Sequence, residues 1–151
     1  MQVFLGSDHG GFTQKELLKE YLAEKGYGIT DCGTYSTEST DYPDFALAVC
    51  QAVKHDPSSF GILLCRSGEG MEMAANKVLG IRAALVWREE VAKETRNDND
   101  ANVLVLPSDF ISDAEAKQIA EAFLATPFSG EDRHVRRIEK MQNIERTRHE
   151  S

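Results

Sequence analysis

Short apolar runs alternate along this chain with segments whose apolar residues recur at helical spacing. The run at 3–5 is followed by apolar residues at positions 12, 17, 18, 21 and 22, which share one helical face. The alternation continues to the C-terminus, and the runs predict five strands at 3–5, 27–32, 60–65, 82–87 and 102–106. The run at 60–65 is continuous, as is typical of a parallel strand that helices cover on both faces.

Capping residues indicate where the intervening helices begin and end. Gly26 ends the first helix, Asp41 caps the second with Pro43 in its first turn, and Ser112 caps the fifth. Further helices are predicted at 71–78, 88–97 and about 130–148. Strands that alternate with helices predict an α/β domain with a parallel sheet, whose functional residues lie at the carboxyl ends of the strands.

Length and composition narrow the class of protein. The 151 residues match one compact domain, and we expect a single domain over 1–151. The longest apolar run, at 60–65, is too short for a membrane helix or a signal peptide. Three cysteines without C-x-x-C spacing indicate buried thiols in a reducing cytoplasm rather than disulfides or a metal site.

The charge is distributed unevenly along the chain. An overall charge of −8 disfavours a nucleic-acid partner, but residues 133–148 hold six basic and two acidic residues, a local +4 that leaves −12 elsewhere. Two explanations stay open: a solvated helix that pairs with the acidic body, or a binding site for a small anion. Arg133 and Arg137 are four residues apart and would share a helical face, a spacing suited to phosphate.

Three polar segments beside strands, at 6–11, 65–70 and 96–100, carry the candidate chemistry. Cys65 ends a strand before a Gly-rich turn into a helix, where backbone amides favour the thiolate, although a buried structural role is the alternative. His9 is suited to donating a hydrogen bond to a phosphate or a hydroxyl group. A metal site has weak support, because no second ligand stands at a suitable spacing from His9.

In combination, the loop sequences resemble one family. The matching segments are 7–12 (SDHGGF) with Lys15, 33–34 (GT), 41–44 (DYPD) with Ser39, 65–70 (CRSGEG), 74–77 (AANK), 80–83 (GIRA) and 99–104 (NDANVL). Over about residues 3–146 the chain is similar to the type B ribose-5-phosphate isomerases, a family that includes the galactose-6-phosphate isomerase subunits.

The resemblance implies a Rossmann-like three-layer sandwich with a five-stranded parallel sheet, and neither a metal nor a cofactor. It implies a homodimer in which the C-terminal helix, at about 130–148, reaches the partner subunit, and it leaves open whether dimers pair into tetramers. The implied activity interconverts an aldose phosphate and a ketose phosphate through a cis-enediol, with ribose 5-phosphate and ribulose 5-phosphate of the pentose phosphate pathway expected first. Cys65 matches the base that moves a proton between C1 and C2, and Ser67 matches a hydroxyl residue that assists.

The resemblance also implies the substrate contacts. Three residues match sugar-contacting positions, the backbone amides of 66–70 would hold the enediolate oxygen, and three more match phosphate-binding positions. The sugar contacts are Asp8, Tyr42 and Asn99, and the phosphate contacts are His9 with Arg133 and Arg137 of the neighbouring copy. The full implied substrate-binding set is Asp8, His9, Tyr42, Arg66, Gly68, Glu69, Gly70, Asn99, Arg133 and Arg137.

Four positions depart from the family pattern. Asp98 stands where a histidine thought to open the furanose ring is usual. Arg66 replaces a glycine, and Asp109 replaces an arginine that contacts phosphate. Glu69 adds a carboxylate to the loop that is expected to stabilise negative charge.

These departures favour alternatives to ribose 5-phosphate isomerisation. A four-carbon aldose 4-phosphate needs no ring opening, because the hydroxyl that would close its ring is esterified, so an erythrulose-phosphate type of isomerase could lack the histidine. A sugar-phosphate-binding protein without catalytic activity is another alternative, although Cys65, Ser67 and Asn99 argue against it. It also stays open that Asp98 transfers the proton itself, or that Arg66 replaces the lost arginine.

Overall fold

The computed structural model describes the backbone of residues 1–150 and the side chains of residues 1–148. Five strands alternate with helices, as the hydrophobic pattern predicts. In chain order the elements are β1 (Gln2–Ser7), α1 (Phe12–Glu24), β2 (Gly28–Asp31), α2 (Tyr42–His55), β3 (Phe60–Cys65), α3 (Glu69–Ala75), β4 (Ala83–Leu85), α4 (Glu89–Asn99), β5 (Val103–Pro107), α5 (Asp113–Ala125) and α6 (Asp132–Glu150).

All strand pairs in the sheet are parallel, and the strand order is β2-β1-β3-β5-β4. The expected parallel sheet is therefore confirmed. The chain passes from β1 outward to β2 and then crosses back to β3 on the other side of β1, so the order of strands reverses between β1 and β3. In open α/β sheets a cleft forms at the carboxyl ends of the strands at such a reversal.

Helices cover both faces of the sheet. One hydrophobic core lies between the sheet and helices α1, α4 and α5, and a second lies between the sheet and helices α2 and α3. The side chains along β3 alternate between them: Ile62 and Leu64 enter the first core, and Leu63 and Cys65 enter the second. This double burial explains the continuous apolar run at 60–65, and it confirms the three-layer sandwich.

The starts of three helices can be compared with the predicted capping residues. Ser112 accepts a hydrogen bond from the backbone N–H of Glu115, whose carboxylate bonds back to the Ser112 N–H, so the predicted cap is confirmed as a capping box. Asp41 is at the N-cap position of α2, but its side chain makes no capping hydrogen bond. α3 begins at Glu69, two residues before its predicted start, because Gly68 adopts φ +78° and turns the chain directly into the helix.

α6 presents a partly covered apolar stripe. Ile138 is buried, whereas Met141 and Ile144 of the same stripe are 44% and 65% exposed. Within the single chain the stripe therefore lacks a complete apolar partner. Among residues 1–150, no helix is both long enough and apolar enough to cross a membrane.

Candidate active site

Cys65 is the last residue of β3 and is 6% exposed. Its Sγ accepts a hydrogen bond from the backbone N–H of Gly68 at 3.2 Å. Burial raises the pKa of the thiol, the amides of Met71, Gly68 and Ser67 act against that effect, and the nearby carboxylate of Asp8 adds to it. The amides of the turn therefore favour the thiolate, as expected, but in the isolated chain burial outweighs them and the pKa of the thiol is raised.

Asp8 lies next to Cys65 because it follows the adjacent strand. Ser7, the last residue of β1, pairs in register with Leu64, so the residues after each strand come side by side. The Asp8 carboxylate is buried and accepts a hydrogen bond from the Gly11 N–H at 3.1 Å. The sheet register thus brings a carboxylate and a thiol together at the reversal of strand order.

His9 is held by two hydrogen bonds to one residue. Its N–H donates to Thr40 Oγ1 at 3.2 Å, and its Nδ1 accepts from the Thr40 N–H at 3.1 Å. Because Nδ1 is an acceptor here, Nε2 carries the ring proton and is left to donate to a ligand. Thr40 was not found by sequence reasoning, since the only signal was a polar loop ahead of α2.

The loop after Cys65 contacts Tyr42. The Tyr42 ring lies against Gly70, where an added Cβ would be 2.7 Å from Tyr42 Cζ. Ser67 is half-buried, and its Oγ accepts from the Glu69 N–H at 3.4 Å. Glu69 is exposed, so its carboxylate is accessible to solvent. The structure thus places Tyr42 and residues 66–70 together at the carboxyl ends of the strands.

Arg66 and Asp109, two of the departures from the family pattern, contact each other. Arg66 Nη1 lies 3.5 Å from Asp109 Oδ2, and the Asp109 N–H donates to the Arg66 carbonyl oxygen at 2.9 Å. Both side chains are exposed. The loop after β5 is therefore joined to the loop after β3 beside Cys65.

Asn99, Arg133 and Arg137 lie elsewhere in the chain. Asn99 ends α4, and its carbonyl oxygen accepts from Arg82, the residue before β4. The amino ends of the strands meet there, because Asn102 bonds through its carbonyl oxygen to the N–H of Gly61 at the start of β3. Cys65 is at the other end of β3, about 16 Å of extended strand away. One chain therefore carries two groups of candidate residues, at opposite edges of its sheet.

The amino-edge group centres on His134. This buried imidazole has Nε2 3.5 Å from Asp98 Oδ1 and 3.9 Å from Glu131 Oε2, and the Nε–H of Arg133 donates to it at 3.4 Å. Arg133 also pairs with Glu131 at 3.1 Å, and Arg137 is exposed on α6. Within the single chain, Arg133 thus pairs with an acidic residue that immediately precedes α6.

A groove of about 640 Å³ adjoins this amino-edge group. We call it the α6 groove. It includes Asp98 and Asn99 together with the exposed apolar side chains of Trp87, Met141 and Ile144. Cys65 does not line it. A large groove lined by both apolar and charged side chains thus lies at the edge that carries Asn99, away from the buried thiol.

Known proteins are similar to this chain over nearly its whole length. The family model described as Ribose/Galactose Isomerase matches residues 3–141. Ribose-5-phosphate isomerase B of Mycolicibacterium paratuberculosis is 42% identical over 148 residues, covering 97% of this chain and 93% of the relative. Its namesake in Escherichia coli is 39% identical over 147 residues, covering 97% and 98%.

Solved structures of similar proteins superpose closely. Ribose-5-phosphate isomerase B of Clostridium thermocellum has a TM-score of 0.95 at 41% identity, covering 97% of this chain and 99% of the other. The Mycoplasma genitalium protein of the same name, solved with bound ribulose-5-phosphate, has a TM-score of 0.91 at 43% identity, covering 96% of each. The chain belongs to the ribose/galactose isomerase family.

Proposed function

We propose that this protein interconverts ribose 5-phosphate and ribulose 5-phosphate by moving a proton between C1 and C2. The observation that carries the proposal is the buried Cys65 thiol beside Asp8, with backbone N–H groups directed at its Sγ, at the reversal of strand order. The similar proteins named ribose-5-phosphate isomerase B support the choice of substrate. Three free cysteines are in keeping with a reducing cytoplasm as the compartment.

In the proposed reaction Cys65 acts as the base. Its thiolate takes the proton from C2 of the open aldose, the C2 electron pair forms the C1=C2 bond, and the carbonyl oxygen at C1 becomes an enediolate oxygen. Backbone N–H groups of 66–70 stabilise that oxygen, a kind of contact worth about 10²- to 10³-fold in rate. A proton passes from O2 to O1 with help from the half-buried Ser67 hydroxyl, C2 becomes the carbonyl, and Cys65 returns its proton to C1.

The other residues at this edge bind the substrate. Asp8 and Tyr42 contact the sugar hydroxyls, and His9 donates from Nε2 to the phosphate, the tautomer that Thr40 favours. Gly68, Glu69 and Gly70 contribute through the backbone at the start of α3, where Gly70 leaves room for the Tyr42 ring. These assignments follow the family pattern, except that Glu69 departs from it in its side chain.

A second copy supplies the remaining contacts. Asn99, Arg133 and Arg137 are at the amino edge of the sheet, so the residues of one chain do not surround one substrate. A two-fold dimer would set the amino edge of each copy against the carboxyl edge of the other and complete two identical sites. The exposed apolar side chains of the α6 groove support such an interface.

The partner arginines would also lower the pKa of Cys65, which burial raises in the single chain. Cationic groups near a thiol favour its thiolate, and Arg133 and Arg137 would bring two guanidinium groups to a site that burial and Asp8 hold protonated. In this proposal the base is formed only in the dimer. Catalysis and assembly are therefore coupled.

A substrate panel tests the proposal. Ribose 5-phosphate should be converted with a higher kcat/KM than four- and six-carbon aldose phosphates, and Cys65→Ala should lose that activity. A Cys32→Ala variant is the matched control, because Cys32 follows β2 and is half-buried but lies outside the proposed site. Activity that survives in Cys65→Ala, or no isomerase activity in the wild type, would refute the proposal.

Asp98 favours a second candidate function, isomerisation of a four-carbon sugar phosphate. Such a substrate has no furanose ring, so a site with Asp98 in place of the ring-opening histidine would lose no activity towards it. The contact of Asp98 with His134 argues the other way, because it keeps an acid–base pair at this position. A clear preference for an aldotetrose 4-phosphate in the same panel would select the second candidate.

A further inference from the structure

Arg66 spans three loops at the carboxyl edge of the sheet. It leaves the loop after β3, its side chain crosses Gly10 in the loop after β1, and its guanidinium reaches Asp109 in the loop after β5. A Cβ on Gly10 would lie 2.5 Å from Arg66 Cγ and 3.2 Å from its Nε. Arg66 can therefore take this course only because position 10, directly after His9, has no side chain.

The contact with Asp109 holds the guanidinium only weakly. The Arg66 and Asp109 side chains are 64% and 45% exposed, and their closest atoms are 3.5 Å apart. Exposed pairs of this kind contribute little to stability, so the guanidinium can exchange one anion for another. By contrast, the backbone hydrogen bond from Asp109 to Arg66 keeps the two residues adjacent whichever anion is bound.

The charges at this edge make Arg66 the natural ligand of an anion. Asp8, Glu69 and Asp109 contribute carboxylates there, and among the proposed site residues of this edge Arg66 is the one with a permanent positive charge. A guanidinium donates to two phosphate oxygens at once, and a phosphate dianion competes well against a single carboxylate.

We propose that Arg66 binds the phosphate group of the substrate and that Asp109 competes with the phosphate for the same guanidinium. The identity of the ligand as a sugar phosphate rests on the proposed function. The contact between Arg66 and a phosphate group does not, because it depends only on the residues at this edge of the sheet. Together with the other phosphate contacts, Arg66 favours phosphorylated over unphosphorylated sugars. Asp109 weakens the site, which limits occupation by inorganic phosphate and favours product release.

The test is the binding of inorganic phosphate, measured by calorimetry, together with KM for ribose 5-phosphate. Arg66→Gln should raise the Kd of phosphate and the KM about tenfold, the loss of one charge-assisted contact. Asp109→Asn should lower the Kd several-fold at low ionic strength, and less at high salt. Phosphate binding that is unchanged in Arg66→Gln would overturn the proposal.

A double variant separates competition from simple repulsion. If Asp109 acts by holding Arg66, Asp109→Asn should leave the Kd unchanged in the Arg66→Gln background. An equal decrease in both backgrounds would mean that Asp109 repels phosphate directly, and would overturn its role as a competitor. Gly10→Ala provides an independent variant, because its Cβ displaces Arg66. It should raise the Kd in the wild type and not in Arg66→Gln.

Lys25 and Glu121 offer a matched control. They form another exposed ion pair, at 3.6 Å, away from the site. Lys25→Gln and Glu121→Gln should change the Kd less than twofold. Because calorimetry needs no turnover, the two proposals fail separately: a protein that binds phosphate through Arg66 but isomerises no sugar refutes only the proposed function.

Discussion

The Nε2 atom of His134 lies 3.5 Å from Oδ1 of Asp98, and the pair joins α6 to α4. The His134 side chain is 7% exposed and that of Asp98 is 44% exposed, so the imidazole supports the carboxylate from the protein side. Asp98 also lines the α6 groove, next to Asn99. Asp98 is therefore a solvent-accessible carboxylate beside a buried imidazole, whose Nε2 accepts a hydrogen bond from Arg133.

Asp98→Asn is predicted to slow the isomerisation of ribose 5-phosphate by about 10²-fold, the usual contribution of a positioned acid–base group. In ring opening, one proton moves from the anomeric hydroxyl to the ring oxygen by way of Asp98 while the bond from C1 to the ring oxygen breaks. An aldotetrose 4-phosphate forms no furanose ring, so its conversion should change less than twofold. The kcat/KM for ribulose 5-phosphate should fall together with that for ribose 5-phosphate, because the variant leaves their equilibrium constant unchanged. Steady-state kinetics with the three substrates check this.

Asp98→His is the control, and it should restore conversion of ribose 5-phosphate. Equal losses with all three substrates would contradict a role in ring opening and would indicate that Asp98 holds Arg133 or Asn99 in position.

Sequence patterns predicted the strands and the position of Cys65 at a strand end, because both depend on local order. The run at 60–65 and the glycines after it place Cys65 at a strand end whatever the rest of the chain does. The pairing of Arg66 with Asp109 was not predicted, since it depends on β3 and β5 being neighbours in a strand order that periodicity does not determine. The contact between His134 and Asp98 was not predicted either, because it depends on how α6 packs against α4.

The pKa of Cys65 shows a different limit of sequence reasoning. The amides that favour a thiolate follow from the local turn, whereas the burial that outweighs them comes from α2 and α3 packing on the sheet. A pattern along the chain reports the first effect and not the second.

The reactivity of Cys65 should rise steeply with pH. Burial raises the pKa of its thiol above the ordinary value of 9.0, and only the thiolate is alkylated, so labelling of the free chain by iodoacetamide should be slow at pH 7. The rate should increase about tenfold per pH unit below the raised pKa, and ribose 5-phosphate should protect the thiol. Mass spectrometry of the labelled peptides measures each cysteine separately.

Cys50 is the internal control in that experiment. Its pKa is raised to about 12 by burial, so it should stay unlabelled while the protein is folded. Rapid labelling of Cys65 in the dimer at pH 7, abolished by Arg133→Gln with Arg137→Gln, would support the role of the partner arginines. Rapid labelling that persists in that double variant would contradict it.

Lys15→Met should destabilise the fold by about 3–5 kcal/mol, the usual result of removing one partner of a buried ion pair. The Lys15 side chain is fully buried, and its Nζ donates to Asp31 Oδ1 at 2.6 Å and to the Thr34 carbonyl oxygen at 2.8 Å. Lys19→Met is the matched control and should cost about 1 kcal/mol or less, because Lys19 reaches the same carboxylate from a more exposed position. Urea unfolding at pH 7 measures both.

The effect of Lys15 should depend on pH. Although burial acts to raise the pKa of Asp31, hydrogen bonds from Lys15, Gly33 and Lys19 lower it below 3.8. A carboxyl group with a lowered pKa adds stability above its unfolded value, and that stability is lost as the pH falls through the folded value. The difference between the wild type and Lys15→Met should therefore shrink below about pH 4, and a constant difference would exclude the ion pair as its cause.

Ile144→Asp is predicted to separate the dimer and abolish isomerase activity without unfolding the chain. Ile144 is exposed in the single chain and lines the α6 groove, so a carboxylate there costs little in the monomer but would be buried against the second copy. Analytical ultracentrifugation measures the assembly, and thermal unfolding confirms the fold. Leu47→Asp is the matched control: Leu47 is also exposed but lies in the middle of α2, outside the groove, and the dimer should persist in that variant. A dimer that survives Ile144→Asp, or a monomer with full activity, would show that the two groups of site residues are not joined across this face.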